Sequence, residues 1–596
     1  MNGTAIGMTL LLIAATVLIS VYTRRFNQTA AEFYLAGRQV GYLTNASAIC
    51  GDYFSAASFL GVAGAIYASG LDGAWFGAGF GAGFVPVLLF FAAPLRRSGE
   101  YTLPDFLAAR FQRSALRLMA VGLVQVICLL YLAPQMLAVG EIWEMLVGRG
   151  VAGLSPYATG LVLTTGLMFV YVAMGGMRGT TWNQFVQFWV LFTAMLLVLL
   201  LALLSGYHYA RALGEVGQGM VAAPAVYRVR ELPVAEARAA TSEAYWQERV
   251  APLLGDPDAE VVVLMPVRSR LTGEPLRFTE PGGRYDALTQ FSVILTLITG
   301  TAGLPHIMNR FYTNPSGPTA RTTTVYVMGL VAAFYVLAGL VGTLGRALLP
   351  GLSGSAGPGA LTVQLVDGIL AKPDALMPFL AQSLGGDFGL GYVAAGAFAA
   401  AVSTMGGLLI ASAASLGHDL YEQYINPHAP EWRKVAVGRI AVGVMALAGL
   451  GAGLLLPHLG LERTHPALIA QMVTWAFGVA GGGFFPVLLL AIWWRRTTPR
   501  GAMAGMAVGG GGAVAMIAAN VAAVTWPGAP GWVEALGRFT FPAVLVVPAA
   551  FLAIWAVSLL DRRGLPENLD EIWARIHGTA RERSAKRAQG LPAATE

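Results

Sequence analysis

Charged residues and cysteines are scarce in this chain of 596 residues. Only 12% of the residues are Asp, Glu, Lys or Arg, whereas a soluble domain carries about 25%. The two cysteines, Cys50 and Cys128, both lie in apolar runs, so the sequence indicates neither a disulfide framework nor a thiolate metal site. With 56% hydrophobic residues, the composition is that of a polytopic membrane protein.

Other absences narrow the function. The HExxH motif of metalloproteases does not occur, and all seven histidines fall at span ends or in loops, which disfavours a haem or copper oxidase core. The net charge of +6 comes from arginines in short connections between apolar spans. That pattern is a topology signal, and no nucleic-acid partner is expected.

Thirteen apolar runs of about 20 residues or more predict an all-α protein that crosses the membrane repeatedly. They lie near residues 5–22, 42–70, 74–95, 117–147, 154–175, 182–206, 287–309, 323–347, 388–417, 436–457, 467–493, 501–524 and 539–560. The first run lacks a basic leader, so we expect a retained helix with its N-terminus outside.

Basic residues alternate between connections. If Arg24, Arg25 and Arg38 lie inside, every second connection should be basic. The connections that comply carry Arg96, Arg97, Arg110, Arg113, Arg178, Arg310, Arg321, Arg433, Lys434, Arg495, Arg496 and Arg500. The opposite set is poorer, with Arg149, Lys372 and Arg463 scattered singly. We therefore expect a multi-pass protein of the cytoplasmic membrane whose C-terminus, starting at Asp561-Arg562-Arg563, lies in the cytoplasm.

One connection is long. Residues 207–286 are charged and sequence-complex, with a helix-like stretch at 235–254 and a strand-like run at 260–267. The alternation of basic connections places this insert outside. A small decorative domain is the favoured interpretation, and a lid or a partner-docking module remains open.

Asp52 is the one formally charged residue near the middle of a long apolar segment. A carboxylate at the bilayer centre is costly, so it normally faces a water-filled cavity or a bound cation. Gly51 weakens the helix at the same point. The sequence places no Lys or Arg at the midplane of the spans to balance Asp52, so a mobile cation or a proton is the expected counter-charge. The alternative is a packing glycine beside an Asp that bonds a neighbouring helix.

Two spans are interrupted. The second breaks at Gly51-Asp52 and the seventh at residues 299–305 (TGTAGLP), five spans further on. Matched interruptions in two five-helix halves, with odd spacing inverting one half, are typical of an alternating-access transporter whose site lies at the breaks.

Three segments carry a family pattern. They are GDYFSAASFLG at residues 51–61, GGMRGTTW at 175–182 followed by Gln184 and Gln187, and GTAGLPH at 300–306 followed by Arg310-Phe311-Tyr312. Together they resemble the sodium:solute symporter family, and specifically its acetate and monocarboxylate permease branch. The resemblance extends over residues 30–500, apart from the insert.

This resemblance implies the LeuT fold, which contains two five-helix repeats of inverted topology, here with one additional helix before them and two after. The chain then divides into an N-terminal helix and basic loop (1–41), the first repeat (42–206), the extracytoplasmic insert (207–286), the second repeat (287–493), two extra helices (494–560) and a cytoplasmic tail with a short amphipathic helix (561–596).

The family's sodium site, carried over by position, falls between the first and eighth core helices. The resemblance implies carbonyl ligands from Gly51, Phe54 and Ala400 and hydroxyl ligands from Ser403 and Thr404. A hard cation prefers oxygen ligands, and neutral ones bind weakly enough to release it in each cycle. The alternative is that both hydroxyls bond back to their own helix. Na+ is the expected coupling ion, and no organic cofactor is expected.

The solute pocket is expected from Asp52, Tyr53, Ser55, Ser58, Thr301 and Gly303. Free N–H groups at the ends of broken helices attract an anion, so the pocket needs no Lys or Arg at the midplane. Packing is the alternative role for Tyr53. Proline-transporting relatives carry their carboxylate one position nearer the serine that matches Ser55, which leaves the role of Asp52 open. A carboxylate solute close to Asp52 needs a cation or proton between them.

Combined, these expectations describe a symporter that uses the Na+ gradient to accumulate a small monocarboxylate such as acetate. The alternatives are a proton-coupled carrier of another small organic solute and a transporter-derived sensor or channel, because each keeps the same fold. The expected partners are the small organic anion and the lipid bilayer, and a small membrane protein is a further candidate.

Overall fold

The computed structural model describes residues 3–283, 285–352, 365–461, 468–526, 528–561 and 564–578. Within these ranges the regular secondary structure is helical apart from two short antiparallel strand pairs. Arg463 and His465, the Arg562-Arg563 pair and residues 579–596 of the predicted tail lie outside the described residues. The amphipathic helix expected in the tail is present as Leu569–His577.

The longer helices are Gly3–Thr23, Tyr42–Tyr53, Ser114–Val147, Pro156–Leu204, Ala287–Thr301, Gly317–Leu352, Leu376–Ala414, Glu431–Leu455, Leu468–Gly483, Gly512–Thr525 and Ala543–Leu560. The shorter helices are Ala30–Leu35, Val62–Ser69, Ala74–Ala82, Phe84–Pro86, Ala92–Ser98, Leu103–Phe111, Tyr209–Val216, Val234–Ala240, Glu243–Tyr245, Pro305–Tyr312, Phe485–Trp493, Pro499–Met506, Gly531–Gly537 and Leu569–His577. π-Helical turns occupy Ala57–Gly61, Val87–Phe91, Trp246–Val250, Ser415–Ile425 and Ala507–Gly511.

Eleven helical stretches of the described residues are long and apolar enough to cross a membrane, compared with thirteen predicted spans. The difference arises because two pairs of predicted spans run together, as Ala57–Ser98 and Pro156–Leu204. At 1.5 Å per residue the 49 residues of the second stretch would extend about 74 Å, against a hydrocarbon core of about 30 Å. Gly176 divides it, because its φ of 55° with ψ of −161° is not helical and is readily adopted only by glycine.

Both predicted interruptions are present, but the first lies later than the sequence predicts. The helix Tyr42–Tyr53 continues through Gly51 and Asp52 and ends where Phe54 leaves helical geometry, with φ −79° and ψ 75°. Gly51 has a different role, because a Cβ there would lie 2.4 Å from the carbonyl oxygen of Gln184. The glycine permits close helix packing, and the break at Gly51-Asp52 is corrected to Phe54-Ser55. The second break separates Ala287–Thr301 from Pro305–Tyr312.

The insert is a small α/β unit. Its strands Ala222–Arg228 and Glu260–Pro266 pair antiparallel, so the strand-like run is a strand. The predicted helix at 235–254 is interrupted at Thr241 and Ser242. The insert contacts the loop that follows helix Val62–Ser69, where the amide of Leu71 donates to the carbonyl of Phe278 at 2.8 Å.

The basic connections meet at one end of the helix bundle. Arg38 bonds the carbonyl of Gly99, and Arg96 donates to the carbonyl of Pro315 at 2.8 Å. Arg575 pairs with Glu100 at 3.1 Å. These contacts join connections that are distant in sequence into an arginine-rich end, and the positive-inside bias predicts that this end faces the cytoplasm.

A pair of cysteine variants tests that orientation. Val226 on the first insert strand and Trp432 at the arginine-rich end are 62% and 65% exposed, whereas Cys50 and Cys128 are buried. We expect an impermeant maleimide to label Val226→Cys from outside intact cells and to label Trp432→Cys only in inverted vesicles. The reverse pattern would overturn the orientation.

Candidate functional site

Asp52 and Arg310 form a fully buried ion pair. The Nε atom of Arg310 lies 3.3 Å from Oδ2 of Asp52, and both side chains are 0% exposed. The sequence predicts no basic partner for Asp52 and places Arg310 in a basic connection, and both predictions are wrong. The reason is that Pro305 begins a second helix, Pro305–Tyr312, whose residues are all buried. His306, expected at a span end, is buried with it.

The guanidinium of Arg310 also links other helices. Nη1 donates to Thr181 Oγ1 at 2.8 Å, and Nη2 donates to Gln184 Oε1. Gln184 in turn donates through Nε2 to the carbonyl of Ser403 at 2.8 Å. A planar guanidinium with five N–H donors suits such a junction. Both helix breaks, helix Pro156–Leu204 and helix Leu376–Ala414 are thus joined by one polar network.

The second carboxylate oxygen of Asp52 is differently placed. Oδ1 is buried and accepts no hydrogen bond from the described residues. It lies against Gly407, where a Cβ would be 1.9 Å away. Glycine at this position makes room for the carboxylate, which faces helix Leu376–Ala414. Asp52, which the sequence analysis assigns to the solute pocket, therefore also lies beside the helix that carries residues of the predicted ion site.

The structure brings together the two helices that the predicted cation site requires. Thr404 Oγ1 donates to the backbone carbonyl of Asp52 at 2.8 Å. Asp52 follows Gly51 directly in the sequence and precedes Phe54 by two residues. Ser403 Oγ bonds back to the carbonyl of Ala400 at 3.1 Å, which is the alternative that the sequence leaves open for this hydroxyl. The five residues of the predicted cation site are all buried, so their oxygens are shielded from solvent.

Three of the predicted solute residues, Tyr53, Ser58 and Thr301, take part in two hydroxyl pairs. Tyr53 and Thr301 join the two broken helices through their hydroxyls, 2.6 Å apart. Ser58 and Tyr335 form the second pair at 3.0 Å. Both tyrosine rings belong to a packed aromatic layer with Phe80, which stacks on Tyr335 at 5.6 Å. Tyr53 therefore combines the packing role and the polar role.

Gly303 lies in the turn between the two halves of the second broken helix. Its N–H donates to the carbonyl of Gly300 at 2.8 Å, contrary to the expectation of a free donor for an anion. A Cβ at Gly303 would lie 2.3 Å from the carbonyl oxygen of Ala480. This glycine serves close packing against helix Leu468–Gly483.

A cluster of buried polar groups surrounds Ser55, and three of its members are not foreseen from the sequence. The side-chain carbonyl of Gln135 accepts from the amide of Ala56 at 3.1 Å, while its Nε2 has no partner among the described residues. The phenol of Tyr131 lies near Ser55. The Oγ atom of Ser55 is buried and has no hydrogen-bond partner among the described residues. The ring of His306 lies 5.5 Å from that of Tyr131.

The unforeseen residues carry weak sequence signals. Gln135 follows Pro134 near the middle of helix Ser114–Val147, and Tyr131 lies one turn earlier on the same face. A polar amide at mid-span is costly in lipid and marks a site as an Asp does, although less strongly. Both nitrogens of His306 also lack partners among the described residues.

A second titratable cluster lies at the arginine-rich end. The ligand atoms of Asp105, His418 and Asp419 lie within 4.8 Å of one another. Arg117 occupies this cluster as a cation, at 2.9 Å from Asp105 and 3.8 Å from Asp419. Burial alone would raise the pKa of Asp105, but the hydrogen bond and charge of His418 together with Arg117 lower it to about 2. The cluster is therefore an ionic network already supplied with positive charge.

The family model described as "Sodium:solute symporter family" matches residues 33–509. The uncharacterized symporter YwcA of Bacillus subtilis (strain 168) is 28% identical over 584 residues, covering 97% of this chain and 98% of YwcA. A solved structure of a Na+-coupled sialic acid symporter in a substrate-bound outward-open state has a TM-score of 0.61 at 16% identity, covering 94% of this chain and 98% of that one.

The match over most of the chain and the structural similarity define its class. It has the LeuT-type fold expected from the resemblance. It is a cation-coupled membrane transporter of a small solute rather than an enzyme. The chain belongs to the sodium:solute symporter family.

Proposed function

We propose that this symporter couples the inward Na+ gradient to uptake of a small monocarboxylate such as acetate across the cytoplasmic membrane by alternating access. The observation that supports a carboxylate is the donor cluster at the first helix break. The Gln135 amide, the Ser55 hydroxyl and the Tyr131 phenol offer neutral N–H and O–H groups in a buried position. A carboxylate accepts such hydrogen bonds at both oxygens, and bonds to an ionised acceptor are the stronger ones.

Arg310 changes the electrostatics of solute binding. Because its guanidinium is paired with Asp52, the two side chains together carry no net charge. The repulsion expected between Asp52 and an anionic solute is therefore reduced before any cation binds. Arg310 is also engaged by Thr181 and Gln184, so we assign recognition of the solute to the neutral donors rather than to this arginine.

The proposed Na+ site uses the carbonyls of Gly51, Phe54 and Ala400 with the hydroxyls of Ser403 and Thr404. Thr404 donates its hydroxyl proton to the Asp52 carbonyl and Ser403 donates its own to the Ala400 carbonyl, and each hydroxyl oxygen keeps lone pairs that can coordinate the ion. Neutral ligands favour release as well as binding. The family match supports Na+ as the coupling ion.

Uptake by the purified protein tests the function. In proteoliposomes clamped at equal pH on both sides, an inward Na+ gradient should concentrate labelled acetate above its external level. Equal pH is needed because acetic acid crosses lipid unaided and accumulates in an alkaline lumen. Collapse of the Na+ gradient with an ionophore should abolish accumulation. Accumulation that follows an imposed H+ gradient instead would favour the proton-coupled alternative, and passive equilibration alone would indicate a channel.

Single substitutions test the cation site. Thr404→Ala and Ser403→Ala each remove one ligand and little volume, so each should raise the Na+ concentration for half-maximal uptake about ten-fold, equivalent to about 1.4 kcal/mol. Thr404→Ser keeps the hydroxyl and should stay close to the parent value. Unchanged Na+ dependence in both alanine variants would refute this placement of the site.

Asp52→Asn tests the role of the carboxylate in coupling. The variant keeps the shape of the side chain but leaves Arg310 as an unpaired buried charge, so it should insert and yet lose most gradient-driven accumulation. Uptake is normalised to the amount of protein in the membrane. If Asp52 carries a proton, the variant should instead lose pH dependence and keep Na+ stimulation. Parental uptake and ion dependence would show a purely structural hydrogen-bonding role.

A further inference from the structure

A cavity of about 340 Å³ lies between the insert and the core helices. The insert contributes Ala222, Ala223 and Pro224, and the short hairpin at residues 365–370 contributes Ile369 and Leu370. Ala57, Gly61 and Phe80 of the core helices also line it. Most of these groups are apolar. The insert thus encloses a space that borders the break in the first core helix.

Among the described residues that line the cavity, Arg346 is the one basic residue. Its Nη2 donates to the carbonyl of Ala222 at 3.3 Å, and its guanidinium lies 5.5 Å from the centre of the Tyr67 ring. Its Nη1 is buried and lacks a hydrogen-bond partner in the described part of the chain. An arginine placed in this way has spare N–H donors of the geometry that suits a carboxylate.

No protein carboxylate neutralises this arginine among the described residues. None of their ion pairs includes Arg346, although Asp374 also lines the cavity. Arg346 is half-buried with its Nη1 shielded from solvent, and an anion entering the cavity would offset the cost of leaving that part of the charge without a counter-ion.

We infer that this cavity is an outer recognition site in which Arg346 binds the carboxylate of the solute before it reaches the central site. This inference rests on the proposed function for the identity of the solute. The apolar walls accept a short hydrocarbon chain, and the guanidinium holds the carboxylate. The insert is then the cover of an anion-selective entrance, which deepens the lid alternative that the sequence leaves open.

The cavity is separated from the central polar cluster by the aromatic layer. Phe80 lines the cavity and stacks on Tyr335 at 5.6 Å. The hydroxyl of Tyr335 contacts Ser58, and the carbonyl of Phe80 accepts from the Tyr53 hydroxyl at 3.0 Å. Displacement of these two rings would connect Arg346 with Ser55 and Gln135. Concentrating anions on the outer side of this layer would speed their delivery to the centre.

Charge-selective labelling tests the site without using a solute. Ala223→Cys places a thiol in the cavity wall, and Val226→Cys places one on the same strand at a position that is 62% exposed and does not line the cavity. Each is treated with anionic 2-sulfonatoethyl methanethiosulfonate and with its cationic trimethylammonioethyl counterpart. The ratio of the two rates measures the local preference for anions.

At Ala223→Cys the ratio of anionic to cationic labelling should fall about five-fold or more when Arg346→Gln is added. It should be retained with Arg346→Lys, which keeps the charge. At Val226→Cys neither substitution should change it. A ratio at Ala223→Cys that is insensitive to Arg346→Gln, or an equal fall at both positions, would overturn the inference. A fall with both Arg346→Gln and Arg346→Lys would likewise contradict recognition by charge and indicate that Arg346 only positions the insert.

Acetate itself then links the cavity to transport. Acetate should slow anionic labelling of Ala223→Cys, and Arg346→Gln should raise the KM for acetate uptake more than it lowers kcat, because it weakens capture and leaves the central site intact. If Arg346 controls the labelling ratio but acetate neither protects nor is transported, the anion site stands and the proposed monocarboxylate is wrong. If acetate is transported and Arg346→Gln leaves its KM unchanged, the outer site is refuted as a transport step.

Discussion

The ion pair between Asp52 and Arg310 is the constraint on which the centre of this structure depends. Moving either charge out of water costs several kcal/mol, and the attraction between them offsets that cost only when the remaining polar atoms are also satisfied. Thr181 and Gln184 bond the guanidinium, and Gln184 extends the network to the carbonyl of Ser403, whereas Oδ1 of Asp52 accepts no hydrogen bond from the described residues. Four helical segments are therefore held in register by groups that have no alternative partners in lipid.

The two broken helices each contribute one side chain to this ion pair. The first supplies Asp52 from its last turn, and the second supplies Arg310 from the helix that follows its break. A movement that separates the two side chains would leave two buried charges without a partner. A cation near the Asp52 carbonyl or a rearranged hydrogen-bond network would have to replace the lost contact. Thr404, which donates to that carbonyl, lies where such a cation is proposed to bind. In the proposed mechanism, cation binding and helix movement are coupled through a few neighbouring oxygens.

The sequence predicts much of the architecture because lipid imposes strong rules. Long apolar runs, the matched interruptions and the strand at Glu260–Pro266 are all readable from composition and pattern. The burial of Arg310 cannot be read from the sequence, because a basic residue that follows Pro305 has the same local pattern as the cytoplasmic end of a span. Only packing shows that Pro305–Tyr312 remains buried. Gly51 is misread for a similar reason, since a glycine that breaks a helix and one that lets helices touch are alike in sequence.

The network also predicts an energetic coupling that can be measured directly. Thermal unfolding of the detergent-purified protein would be compared among the parent, Asp52→Asn, Arg310→Gln and the double variant, with each effect expressed as a free energy. Each single substitution leaves one buried charge unpaired, whereas the double substitution leaves two neutral amides that can bond each other. We predict that the double variant is more stable than the sum of the single effects requires, by about 1 to 3 kcal/mol. Strictly additive effects would contradict the role given to this ion pair.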